Sequence, residues 1–236
     1  MPHGRVVAAG RLLLEALFPG RCILCGCWLD PLRDHGEAVC CRCRESFVVD
    51  ASPRCAACGI MLVSEQGTCM RCRGVERALE GSFALFPDRG APRTVLHALK
   101  FEKRTRLAPL VAGWVARELE DRYPGIPVVP VPPRPGRRDP DAVERICRQL
   151  ETGHRVTVMR LLARSGGEEQ KSLDYEERAR NLRGRITVAA PGAGVPERAI
   201  LFDDVFTTGA TLDACARALR TAGVVEVRGL TFLIEE

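Results

Sequence analysis

The 236-residue chain is poor in aromatic side chains, poor in lysine and without any long apolar run. Phe, Tyr and Trp make up 5% of it. Proteins that hold single strands of nucleic acid by base stacking rely on such residues, so their scarcity counts against that class. Lysine occurs three times among 35 basic residues, at Lys100, Lys103 and Lys171. Against 30 acids the formal charge is +5, an excess too small to imply a nucleic-acid partner by itself. No stretch approaches the ~18 consecutive apolar residues that a membrane-spanning helix needs. The most apolar early segment, 6–18, is interrupted by Arg11 and Glu15 and lacks a small-residue cleavage site. It does not read as a secretory signal, so the reducing cytoplasm is the expected compartment. A hydrophobic content of 46% with 28% charged residues excludes a disordered chain. No His or Cys stands at a recognisable catalytic spacing from a carboxylate.

Cysteine is what the chain has in excess, with 12 in all and 10 of them between positions 22 and 72. In a reducing compartment such a cluster indicates metal before disulfides. Four C-x-x-C pairs occur in order: Cys22/Cys25, Cys40/Cys43, Cys55/Cys58 and Cys69/Cys72. The first and third are followed by glycine (Gly26, Gly59), and the second and fourth read C-x-R-C-R, so the segment is an internal repeat. Two residues between thiolates let one tight turn present both sulfurs to a tetrahedral Zn²⁺, and the glycine permits the positive φ of that turn. The repeat suggests sequential pairing, with Cys22, Cys25, Cys40 and Cys43 at one site and Cys55, Cys58, Cys69 and Cys72 at the other. An interleaved cross-brace is the alternative. Cys27 and Cys41 fit neither set and read as bystanders. A closed four-thiolate site is structural, because catalytic zinc keeps an open position. Eight thiolates subtract eight charges and two Zn²⁺ add four, which brings the formal charge from +5 to +1.

Beyond residue 79 the pattern changes to α/β. Apolar residues at helical spacing predict helices at 92–103 and 107–121. A short strand is expected at 126–131, ending at Pro132-Pro133. Asp139 and Pro140 suit an N-cap and first helical position, opening a helix with Val143, Ile146, Cys147 and Leu150 on one face and Gly153 at its end. Strands are expected at 156–162, 199–205 and 224–233, with a loop at 165–171 and a helix from about Thr211 that stops at Gly223. His97 falls beside a helical stripe and reads as partly buried. Alternating strands and helices imply a mostly parallel sheet covered on both faces.

The segment 200–212, ILFDDVFTTGATL, carries the chemistry. An apolar strand delivers Asp203 and Asp204 to its carboxyl end, where ligands of open α/β sheets bind. The loop Thr207, Thr208, Gly209, Ala210, Thr211 then offers backbone N–H groups and hydroxyls at a helix N-terminus, which suits a phosphate monoester. Adjacent carboxylates suit a vicinal diol. Together they describe a ribose 5-phosphate site.

These 13 residues resemble the phosphoribosyl-pyrophosphate (PRPP) motif of type I phosphoribosyltransferases. The resemblance implies that Asp203 and Asp204 hold the ribose hydroxyls, that 207–211 cradle the 5-phosphate, and that Mg²⁺ accompanies PRPP. In the purine enzymes an acid commonly stands where this chain has Thr207, so purine salvage is not implied. Arg134, Arg137 and Arg138, after the strand at 128–133, resemble a pyrophosphate loop. Gln170-Lys171-Ser172-Leu173, followed by Arg178 and Asn181, resembles a mobile loop and its helix. The whole layout is similar to that of ComF/GntX-type proteins: an N-terminal helix (1–21), a double zinc ribbon (22–78), an Ala98-Leu99-Lys100-Phe101 helix and a phosphoribosyltransferase-type α/β domain (79–236). The Arg-Gly-Phe-Asn usual in that family is replaced by Arg138-Asp139-Pro140-Asp141. The family implies phosphoribosyl transfer to an unidentified acceptor and an association with DNA uptake and competence. The alternatives are a single-stranded-DNA-handling protein, with Lys100, Lys103, Arg104 and Arg106 as a basic run, or a PRPP-sensing adaptor without turnover.

Overall fold

The computed structural model describes residues 15, 17–135, 141–166, 185–189 and 194–236. Most of the segment 6–18 lies outside these, as do Arg137, Arg138, Asp139, Pro140, the 170–173 loop with Lys171, Arg178 and Asn181. In chain order the elements are α1 (Cys41–Glu45), β1 (Ser82–Pro87), α2 (Gly90–Phe101), α3 (Leu107–Arg122), β2 (Val128–Pro130), α4 (Ala142–His154), β3 (Leu162–Arg164), β4 (Ile186–Val188), β5 (Arg198–Phe206), α5 (Ala210–Thr221) and β6 (Glu226–Ile234). Four strands form a parallel sheet in the order β1-β6-β5-β2. A strand buried on both faces needs apolar residues at every position, which is why 199–202 read as a continuous apolar run. Ile200 and Phe202 enter a core with α2, α3 and α4, while Ala199 and Leu201 enter a second core with α5.

The two halves of the cysteine repeat lie on opposite faces of this sheet. Cys22, Val39 and Cys40 join the core on the α2–α4 side, where Phe47 stacks on Trp114 with ring centroids 4.1 Å apart and meets Phe86 edge-on. Cys55, Cys58, Leu62, Cys69, Cys72 and Leu79 join the α5 side. Four of the scarce aromatics serve packing, in a Phe47–Trp114–Phe86–Phe232 cluster, whereas Phe18, Trp28 and Phe101 are exposed. The second half also covers the free edge of β1. Arg54 donates to the Ala84 carbonyl at 2.9 Å, and Gly59, at φ +79°, sits so close that a Cβ there would lie 2.7 Å from the Ser82 carbonyl oxygen. Gly59→Ala is therefore expected to lower the thermal midpoint by about 3–8 °C, from left-handed strain of about 1–2 kcal/mol and the backbone clash. An unchanged midpoint in calorimetry would mean that this knuckle does not seat on β1.

Several expected boundaries shift for identifiable reasons. The strand at 156–162 reduces to one parallel bridge, Val128 with Val158, followed by β3 pairing antiparallel with β4. β2 itself is three residues long, because Pro127, Pro130, Pro132 and Pro133 lack the N–H groups a longer ladder needs. The N-cap of α4 is Asp141, whose carboxylate accepts from the Glu144 N–H at 3.0 Å. The helix runs through Gly153, and its left-handed residue is Arg155, φ 56°, because the Val156 N–H reaches back to the Leu150 carbonyl at 3.0 Å. His97 is exposed, 60% at its side chain, beside the Phe101 ring and Glu102. β1 and β4 had no counterpart in the sequence reading.

Candidate functional site

The cysteines form two tetrads, Cys22/Cys25/Cys40/Cys43 and Cys55/Cys58/Cys69/Cys72, each with its sulfurs within 4.8 Å of one another. The pairing is sequential. Zn–S bonds of about 2.3 Å at tetrahedral angles place sulfurs about 3.8 Å apart. Cys25 and Cys40 Sγ are 3.7 Å apart, and Cys58 and Cys69 Sγ are 3.8 Å apart, so both tetrads fit zinc. The turns repeat in detail. The Cys40 N–H donates to Cys22 Sγ and the Cys69 N–H to Cys55 Sγ, at 3.4 and 3.3 Å. Arg21 and Arg54 each donate to the carbonyl of the knuckle glycine at 3.0 Å. These two arginines belong to the repeat and were missed by a reading confined to cysteine and glycine, although both immediately precede the first Cys of their unit. Gly26 and Gly59 have φ of 74° and 79°, as the turn requires. Burial opposes ionisation of Cys55, but the N–H groups of Cys69, Cys58 and Ala57 outweigh it and hold the thiol down at about 7.

At the centre of the sheet, β5 carries Asp203 and Asp204 and continues for two more residues before the loop 207–209. α5 starts at Ala210, with Gly209 as N-cap in the left-handed region, φ 80°. A Cβ at Gly209 would come within 2.5 Å of Arg77 Nη1 and of the Phe206 ring, so only glycine fits this crossing. Thr208 Oγ1 accepts from the Ala210 N–H at 3.4 Å. The loop and the α5 N-terminus thus lie at the carboxyl end of β5, a setting that favours an anion.

The two acids differ. Burial pushes the Asp203 carboxyl well above the usual carboxylate range and the Asp204 charge adds to it, opposed by the Asp204 N–H (2.8 Å) and by Lys100. Asp204 is ion-paired, its Oδ2 lying 2.8 Å from Lys100 Nζ. Both acids border a cavity of about 380 Å³ with Thr207 and Thr211 on the same wall. Lys100, Arg134 and Arg164 line the same cavity. Of the expected site residues among the described ones, the structure brings together Asp203, Asp204, Thr207, Thr211 and Arg134. Gly209 and Ala210 lie buried behind them, and Thr208 lines a second, smaller cavity against the zinc ribbon.

Lys100 and Arg164 line this cavity, where sequence reasoning did not place them. For Lys100 the signal was present: on α2 it is four residues after buried Leu96 and next to buried Leu99, so it leaves the helix at the margin of the packed stripe. The basic run to which it was assigned is largely neutralised. Lys100 faces Asp204, Arg104 lies 3.0 Å from Glu102, and Arg106 lies 3.4 Å from Glu15.

Comparison with known proteins agrees with this anatomy. A family model described as "Double zinc ribbon domain" matches residues 13–73. Over 225 residues, covering 88% of this chain and 97% of the relative, the sequence is 23% identical to "Competence protein ComFC" of Streptococcus pneumoniae (strain ATCC BAA-255 / R6). A crystal structure of a hypoxanthine phosphoribosyltransferase from Staphylococcus aureus superposes with TM-score 0.34 at 15% identity, covering 54% of this chain and 62% of that one. At that score it adds nothing to the sheet order read directly. Among the described residues no helix is long and apolar enough to cross a membrane. The tandem tetrads and the matching family model make residues 13–73 a double zinc ribbon, which is followed by an α/β domain built on a parallel sheet, and over nearly its whole length the chain is similar to a ComF-type competence protein.

Proposed function

We propose that the cavity beside Asp203 and Asp204 binds PRPP together with Mg²⁺. One observation carries the reading: an acid pair and a phosphate-type loop share a cavity whose other lining includes Lys100, Arg134 and Arg164. Ribose hydroxyls suit the acids, a 5-phosphate suits the backbone N–H groups of 207–211, and the cations suit a pyrophosphate. Arg137, Arg138 and Lys171 belong to the same proposal as further cations for the pyrophosphate. The carboxylates of Asp203 and Asp204, with Asp141 close enough to raise the Asp203 carboxyl further, are the hard oxygen donors that Mg²⁺ takes. Bound there, Mg²⁺ supplies charge neutralisation for the pyrophosphate.

Turnover asks more of the site than binding. Displacement of pyrophosphate at the anomeric carbon passes through an oxocarbenium-like state, which Asp203 and Asp204 stabilise electrostatically while Lys100 and the arginines receive the leaving charge. Thr207 has no general-base capacity at neutral pH, so an acceptor has to arrive already nucleophilic. PRPP binding without pyrophosphate release, across a broad panel of acceptors, would make the protein a sensor instead of a transferase.

The relative is named a competence protein, and the second reading that the sequence leaves open is the handling of single-stranded DNA. Calorimetry on one sample separates the two. PRPP/Mg²⁺ is expected to bind, and the doubly substituted Asp203→Asn/Asp204→Asn chain is expected to lose roughly 10–100-fold in affinity. Binding of single-stranded DNA that falls steeply with salt and persists in that variant, with no PRPP signal in either chain, favours the DNA reading.

A further inference from the structure

We infer that Arg77 is a positioning residue that couples the second zinc tetrad to the phosphate loop, so that zinc held by Cys55, Cys58, Cys69 and Cys72 and phosphate bound at 207–211 stabilise one another. The inference rests on the loop being a phosphate site. Arg77 stands five residues after Cys72, in the link between the ribbon and β1. Its Nη1 and Nη2 both donate to the Thr208 carbonyl at 3.2 Å. Nη2 also lies 3.8 Å from Cys72 Sγ, a zinc ligand, and the guanidinium faces the Phe206 ring at 5.7 Å. One planar cation thus touches a thiolate of the tetrad, the loop backbone and the residue that opens the loop.

The neighbouring contacts make the link stiff. The Ala78 N–H donates to Asp213 on α5 at 2.5 Å, and Arg220, also on α5, donates to the Ala78 carbonyl at 2.8 Å. Arg71, inside the ribbon, donates to the Glu235 carbonyl just past β6 at 3.2 Å. The link after the tetrad is therefore fastened to the helix whose N-terminus receives the anion.

The electrostatics run the same way at both ends. A Zn²⁺ with four thiolates carries a net charge of about −2. A phosphate monoester dianion carries about the same. A guanidinium between them offsets both, and its two-donor grip on the Thr208 carbonyl fixes the peptide plane leading into Gly209, whose N–H belongs to the loop. A loop held in this way meets the anion without reordering. Linkage then requires that the anion stabilise the arrangement that holds the loop, including the tetrad.

The test uses the zinc-loaded full chain and ribose 5-phosphate as probe. Thiol alkylation in the presence of a zinc chelator, read by mass spectrometry, reports opening of each tetrad separately. Saturating ribose 5-phosphate is expected to slow labelling of Cys55, Cys58, Cys69 and Cys72 about fivefold or more, and to leave Cys22, Cys25, Cys40 and Cys43 unchanged. Arg77→Met should keep two zinc per chain, lose the protection and bind ribose 5-phosphate about tenfold more weakly, with Arg77→Lys in between. Wild-type binding without selective protection overturns the coupling while leaving the phosphate site standing. Loss of zinc from Arg77→Met as purified also overturns it, since Arg77 would then be needed merely to fold the ribbon. A wild-type chain that binds no ribose 5-phosphate removes the phosphate reading, and the coupling falls with it.

Discussion

Removal of both zinc ions is expected to lower the unfolding midpoint of the whole chain by about 10–20 °C, because the tetrads are built into the cores of the α/β sheet. Structural zinc contributes folding free energy directly, and a domain of this size shifts by about 2–4 °C per kcal/mol, so losing even a fraction of the zinc contribution is enough. Both cores take ligand cysteines: Cys22 and Cys40 pack with α2–α4, and Cys55, Cys58, Cys69 and Cys72 pack with α5. At the second tetrad all four sulfur-bearing residues are buried, so without metal four thiols lie in the core with little to satisfy them. That half also covers the β1 edge through Arg54, which an unfolded ribbon would leave open to pairing with other chains. Circular dichroism melts of chelated and reconstituted protein check this, with light scattering to follow aggregation. A sheet that melts at the same temperature with and without zinc would show that the ribbons hang on an independently stable domain.

The features most legible in the sequence were those where chemistry restricts spacing. Two residues between thiolates, a glycine after them and a repeat of the unit led to two sequential tetrads, because a tetrahedral ion allows few chain geometries. The strand with its acid pair and the glycine at the start of the next helix were legible for the same reason, since a left-handed N-cap with no room for a Cβ needs glycine at a fixed place. Tertiary arrangement was not legible. Nothing in the repeat says that one ribbon lies on each face of the sheet, since that follows from the order of strands and the position of Phe47 against Trp114. β1 was missed because SFALFP alternates neither with period two nor with a helical period, being buried almost throughout. Lys100 was assigned to a solvated basic run because nearness in sequence says nothing about a partner 104 residues away, Asp204. Its placement changes the reading of the net charge as well. Among the few lysines, this one serves the acid pair, and the excess of positive charge is not available as a uniform surface.

Asp203→Asn is expected to stabilise the ligand-free protein while weakening PRPP/Mg²⁺ binding, and Asp204→Asn is expected to weaken both stability and binding. The difference follows from the partners. Asp203 is held above its ordinary pKa chiefly by burial and then by the Asp204 charge, so in the folded state its ionised form is disfavoured. Asp204 has Lys100 at 2.8 Å, and its removal leaves a mostly buried ammonium without that carboxylate. Between the ordinary carboxylate pKa of about 4 and the raised folded value, the folded chain holds a proton that the unfolded chain has released. Stability contributed by Asp203 therefore falls as pH rises through that window and levels off above it. Asparagine keeps an oxygen to accept from the Asp204 N–H and carries no charge, so it removes the penalty. The gain in midpoint should grow from near zero at pH 4 to about 3–6 °C above the raised value, equivalent to about 1–2 kcal/mol. Ligand affinity should run the opposite way: binding of a divalent cation with PRPP requires both carboxylates ionised, so wild-type affinity rises with pH through the same window and proton release accompanies binding. Thermal melts of the two variants from pH 4 to 9, paired with calorimetry in buffers of different ionisation enthalpy, read both quantities. A destabilised Asp203→Asn chain, or PRPP binding without proton release below the raised value, would show that the acid pair enters binding already fully ionised and that its burial carries no cost in the empty site.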